Sequence, residues 1–163
     1  MKPIFLKTLL IINLLFIYNC KAQTTNDYIN FYNTLVPKLN SIAPNKTQFY
    51  GQSFFNFYGE LQNKNINVVG WIHDTKTSPS NKYYKLKLFF FDINMIGLAS
   101  KNSFQYPRVI VTFENEIPAE VENLVHQYGA TWNPTIAQFF SNLKIEKIDF
   151  IGVKGYNNND YSE

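Results

Sequence analysis

The 163-residue chain has one cysteine, Cys20, two histidines, His73 and His126, and one arginine, Arg108. Each scarcity closes a route. Without a second thiol there is neither an internal disulfide nor a cysteine-based metal cluster. With one arginine, the planar forks that favour phosphate and base recognition are nearly missing. The formal charge of +3 comes from fifteen basic and twelve acidic residues, but Lys2 and Lys7 lie in an N-terminal leader, and a near-neutral remainder has no electrostatic grip on phosphate backbones. Nucleic acid is therefore not an expected partner. Also missing are a glycine-rich phosphate loop, a Gly-x-Ser-x-Gly elbow and a His-Glu-x-x-His pair. The sequence assigns no catalytic residue, no metal and no cofactor.

What is there begins with the leader. Lys2 and Lys7 form a basic head, and Leu9 to Ile17, interrupted only by Asn13, form an apolar run, the layout of a secretory signal peptide. The run is shorter than the ~20 apolar residues that cross a bilayer core of ~30 Å, and polar Asn19, Lys21 and Gln23 follow at once. It reads as an address, not a span. Cys20 stands where a lipoprotein peptidase cuts, and Ala22 where an ordinary signal peptidase prefers a small residue.

Residues 1–23 resemble a bacterial lipoprotein signal. The resemblance implies cleavage before Cys20, acylation of Cys20 and an exported protein of the bacterial cell envelope, held on a membrane by its N-terminal lipid. The alternative is a signal over 1–22 and a soluble periplasmic or secreted protein. A lone thiol is a liability in an oxidising compartment, and acylation removes it. One acyl chain anchors only marginally, so stable attachment implies several.

Beyond the leader the organisation reads as a signal over 1–19, a tether over 20–26, a single α+β domain over 27–155 and a polar tail over 156–163. Hydrophobic content of 45% and aromatic content of 17% are enough for one core, and nothing repeats. Tyr28, Phe31, Tyr32, Leu35, Leu39 and Ile42 recur at helical spacing, with Asn26 or Asp27 as cap and Pro37 as a kink or early stop. Phe54, Phe55, Phe57, Tyr58 and Leu61 suit a helix or a strand, and the reading favours a strand turning at Asn63-Lys64-Asn65.

Ile66 to Asp74 reads as a strand, with Ile66, Val68 and Ile72 on one face and Val69, Trp71 and His73 on the other. After the turn cluster around Ser78-Pro79-Ser80, the segment Lys82 to Phe91 alternates Tyr84, Leu86, Leu88 and Phe90 with Tyr83, Lys85, Lys87, Phe89 and Phe91. Residues 94–107 read as irregular, and Val109, Val111 and Phe113 as a further strand.

Pro118 to Tyr128, stopped by Gly129, and a segment capped by Asn133 and opened by Pro134 predict two helices, with Trp132 a packing plug between them. Ile145 to Val153 predicts a last strand whose Phe150-Ile151-Gly152-Val153 run suggests burial on both faces and a central place. The expectation is an N-terminal helix, a mainly antiparallel sheet of about four to five strands and two helices before the last strand, with helices on one side and a lysine-bearing side open.

Three groups of residues invite a functional reading. His73-Asp74 and His126 offer a base or two metal ligands for a small exported hydrolase, against the simpler reading of an edge and a surface histidine. Glu114, Glu116, Glu120 and Glu122 crowd a helix start, where carboxylates are favoured by the exposed amides alone. Trp71, His73, Tyr83, Lys85, Lys87 and Phe89 are read as one aromatic, lysine-flanked sheet face suited to a glycan, peptide or protein ligand. The competing reading buries these rings as core under lysine stems. The expectation is a non-enzymatic binding or interaction module, with the exported hydrolase and an envelope structural or immunity-type inhibitor protein as alternatives.

Overall fold

The computed structural model describes residues 23–161. The expected signal, its cleavage and the lipidation of Cys20 lie outside the described residues.

The fold is α+β: among the described residues there are five α-helices and a four-stranded antiparallel sheet, with a helix preceding the sheet. Helix α1 (Thr25–Ile42) opens on a reciprocal capping box, in which the Thr24 hydroxyl accepts from the Asp27 amide and the Asp27 carboxylate accepts from the Thr24 amide. The cap is thus Thr24, with Asp27 in the third helical position. The helix does not stop at Pro37 but runs on to Ile42, because Tyr28, Tyr32, Leu35, Val36, Leu39 and Ile42 are buried on both sides of the proline. Phe31, expected in that stripe, lies off it and is exposed.

A 3-10 segment (Ala43–Phe49) leads to helix α2 (Phe54–Asn63), where a strand was favoured. Its buried residues are Phe54, Phe57 and Leu61, a spacing of three and four. Two orphan amides at its start, Phe54 and Phe55, donate to the carbonyls of Leu143 and Ser141, so a tertiary partner caps the helix.

Strands β1 (Gly70–Thr75) and β2 (Tyr83–Phe89) form a hairpin, and helix α3 (Ile93–Lys101) follows where irregular chain was expected. Asp92 caps α3 by accepting from the Met95 amide at 2.9 Å. Strand β3 (Arg108–Phe113), helices α4 (Val121–Tyr128) and α5 (Pro134–Phe140) and strand β4 (Ile145–Ile151) complete the order. Gly129 ends α4 at φ +59° and Asn133 caps α5, both as the sequence implies.

The sheet is a meander in the order β1-β2-β3-β4. Strand β4 is therefore a margin, not the centre. Its apolar end is buried for another reason: Tyr32 of α1 donates its hydroxyl to the Gly152 carbonyl, and Gly152, at φ +74°, lies so close to the Tyr106 carbonyl that a Cβ would sit 2.8 Å from it. Both margins carry cover from the same chain. Ala130 and Trp132 exchange backbone bonds with Trp71 and Val69 along β1, and Gly51 and Gln52 do so with Ile145 of β4.

Register decides which side chains share a face. Trp71, Leu88, Val109 and Phe150 stand opposite one another, as do His73, Leu86, Val111 and Ile148. All but His73 are buried. Helices α2 and α5 pack rings onto this inner face, with Phe57 against Phe150 and Phe140 against Trp71 and Phe113. Each buried ring contributes roughly 1.5–3 kcal/mol relative to leaving it in water. The other face carries Ile72, Lys87, Ile110 and Asp149 in one row and Asp74, Lys85, Thr112 and Lys147 in the next.

Candidate functional site

The six residues read as one face fall on two. Trp71 pairs with Leu88 and His73 with Leu86, which puts both on the inner face, while Lys85, Lys87 and Phe89 belong to the outer one. Tyr83 would alternate onto the lysine side, but the register shifts between Asp74 and Thr75, so that Tyr83 and not Tyr84 stands opposite Thr75. The bulge re-aims it. Its ring meets the His73 ring edge-on with centroids 4.2 Å apart.

On the outer face the Lys87 ammonium lies 2.5 Å from Asp74, and this contact holds the Asp74 carboxyl below its usual range. Lys147 pairs with Asp149 at 2.8 Å. Lys76, just past β1, ion-pairs with Glu146 and lies over the Tyr84 ring at 4.7 Å. The hairpin end thus leans across one end of the face, and Thr112 is buried. Ile72 is 49% exposed and Ile110 half-buried, two β-branched apolar side chains between charges of both signs.

The second assembly lies at the inner-face rim. His73 Nε2 is 3.4 Å from Glu122 Oε1 on α4. The Tyr83 hydroxyl also bonds Glu122, which pushes the Tyr83 hydroxyl up and, with smaller help from His73 and His126, pulls the Glu122 carboxyl down. A carboxylate holding an imidazole and a phenol can orient a base. However, neither of the hollows below is lined by His73, Glu122 or His126. Among the described residues no group of three or more His, Cys, Asp or Glu side chains is placed to hold a metal ion. Trp132 does pack as expected, stacked on Phe140 and donating its indole N–H to the Tyr58 hydroxyl at 3.1 Å.

The third feature was not read from the sequence. Two adjoining hollows, of about 410 and 500 Å³, open where α1, α3 and the start of β1 meet, and Val69, Phe91 and Asp92 line both. The first also holds Gln23 and Phe31, and the second Gly70, Trp71, Ile72, Phe89 and Ile93. The Trp71 indole N–H is buried without an acceptor. A signal for this region existed in Ile93, an isoleucine placed directly after a helix cap and exposed in the fold.

A scan against protein-family models, a search of curated proteins and a search of solved structures each found no match to the chain. Function therefore has to be argued from the surface itself.

Proposed function

We propose that the chain is an exported, lipid-anchored module of a bacterial cell envelope that acts by binding, and that it takes an extended peptide segment on the outer face of its sheet. What supports the reading most is the row Ile72, Lys87, Ile110 and Asp149 across the four strands of that face, where apolar and charged side chains take turns.

Size narrows the ligand class. Four strands about 4.8 Å apart and about six residues long span roughly 14 by 20 Å, or about 300 Å². A stable protein complex buries about 800 Å² per partner, so the face alone suits a peptide segment better than a whole domain. Glycan recognition favours stacked flat rings, and of the three rings expected together Trp71 and Tyr83 are turned to the other side, which leaves Phe89 alone on this one.

The test is photocrosslinking in native envelopes. A photoreactive residue at Ile72 or Ile110 is expected to give one discrete adduct, and one at Phe55, 66% exposed on α2, none. Adducts at Phe55 alone would remove the outer face from consideration. Lipid anchoring is tested separately, by loss of acyl labelling in Cys20→Ser.

A second reading has its own observation, the contact of His73 with Glu122, which is the arrangement a hydrolytic base would need. It requires an activity that vanishes in His73→Ala while the melting temperature holds.

A further inference from the structure

Large apolar side chains left in water are ordinary when scattered and informative when they gather. Here Phe31, Val69, Ile72 and Ile93, exposed by 42, 40, 49 and 78%, border the two adjoining hollows. They come from α1, the start of β1 and the first turn of α3, so no single amphipathic element explains them.

The same rim is where the chain joins the fold. Gln23 lines the first hollow, and its side-chain amide donates to the Asp92 carboxylate at 2.7 Å. That bond and the α3 amides hold the Asp92 carboxyl below its usual range, so the junction is tied to the cap of the helix that bears Ile93. Cys20 lies three residues upstream of Gln23. Three residues span at most about 11 Å even when fully extended.

We infer that this rim is a membrane-docking face, with Phe31, Val69 and Ile93 set into the interfacial layer of the bilayer to which Cys20 is anchored, while Ile72 at its border stays with the outer face. The inference rests on the proposed lipidation. A lipid at Cys20 puts the bilayer surface within about 11 Å of Gln23, and Gln23 lines the first hollow, so the rim is held close to it. Interfacial attachment strengthens with buried apolar area and with nearby positive charge. Lys21 in the tether and Lys38 at the first hollow supply such charge.

The test uses the mature protein purified from its envelope, with the mass at Cys20 read on the same sample, and reconstituted into vesicles of phosphatidylcholine and phosphatidylglycerol with brominated acyl chains. Trp71 lines the second hollow and Trp132 bonds Val69, so indole emission reports contact with the acyl region. Emission is expected to be quenched for the acylated wild type and to recover in Phe31→Asp/Ile93→Asp, which remains vesicle-bound through its lipid. Circular dichroism confirms that the variant is folded, and Ile93→Asp alone, at the most exposed of the four, is the fallback.

An acylated, vesicle-bound wild type without quenching overturns the docking face and leaves the anchor standing, as does a folded variant quenched as strongly as wild type. Concentration-dependent dimers without quenching overturn it in favour of a second copy on the rim. A mass without acyl chains overturns the anchor. In that case quenching that the double substitution abolishes upholds docking on its own, and failure to bind vesicles overturns both.

Discussion

The two faces of the sheet are built from alternate residues of the same four strands, yet they answer to different physics. The inner row of Trp71, Leu88, Val109 and Phe150 is closed by rings from α2 and α5 and tolerates no vacancy. The outer row of Ile72, Lys87, Ile110 and Asp149 is held by partly solvated ion pairs and can be rewritten. A one-residue difference in position along β1, from Trp71 to Ile72, separates 1% from 49% exposure. Stability is thus concentrated on one side, and the other keeps its ion pairs partly solvated.

The contrast breaks most visibly at Phe150. Phe150→Ala empties the space beside Phe57 and is expected to cost about 3–5 kcal/mol in denaturant unfolding. Next comes Gly152→Ala, which needs φ +74° and a Cβ 2.8 Å from a backbone oxygen; about 1–3 kcal/mol is expected, read the same way. Asp92→Ala, at the hollows, removes the α3 cap and should cost about 1 kcal/mol.

The smallest effect belongs to the outer face. Lys87→Met should change stability by less than about 1 kcal/mol, since both partners are substantially solvated.

Acid and base should distinguish the faces as well. Asp74 is held low by Lys87, so its contribution is present above the ordinary carboxylate range and is lost as pH falls through the folded value. Melting temperature should fall less steeply in acid for Lys87→Met than for wild type. In the core, burial pushes the Tyr28 and Tyr32 hydroxyls up, and Tyr28 donates to the Gln105 carbonyl. Their contribution is complete below the ordinary tyrosine value of about 10 and is lost as pH rises above it, so alkaline melting should be insensitive to Lys87→Met.

Local chemistry was legible in the sequence at some turns and helix ends, though not at the Thr24 and Asp92 caps. Asn133-Pro134 and Gly129 mark helix ends by what their own backbones and side chains can do. The alternation of Leu86 and Leu88 with Lys85 and Lys87 marks a strand with one wet face. The α+β class follows from those elements.

Three further misreadings share a cause in partners distant along the chain. Phe54 to Leu61 could be strand by composition, and the carbonyls of Ser141 and Leu143 meet its first amides as a helix. Phe150 to Val153 looked central because it is buried, and the burial comes from Tyr32 and the Tyr106 carbonyl. The aromatic face dissolved because cross-strand register and a bulge, neither written in any single strand, place Trp71 opposite Leu88 and turn Tyr83 to His73. The hollows by Gln23 need α1, α3 and β1 together, and only Ile93 hinted at them.

The segments lying along β1 and β4 bear on how many copies can share a crowded space. A sheet with bare margins can accept a strand from a neighbour, and successive additions build a ribbon with no natural end. In this molecule Ala130 and Trp132 occupy the start of one margin, Gly51 and Gln52 the start of the other, and the Tyr50 hydroxyl reaches the Ile148 amide farther along it. The fold thus covers the start of both sheet margins from its own chain, which leaves a neighbour's strand less edge to add to.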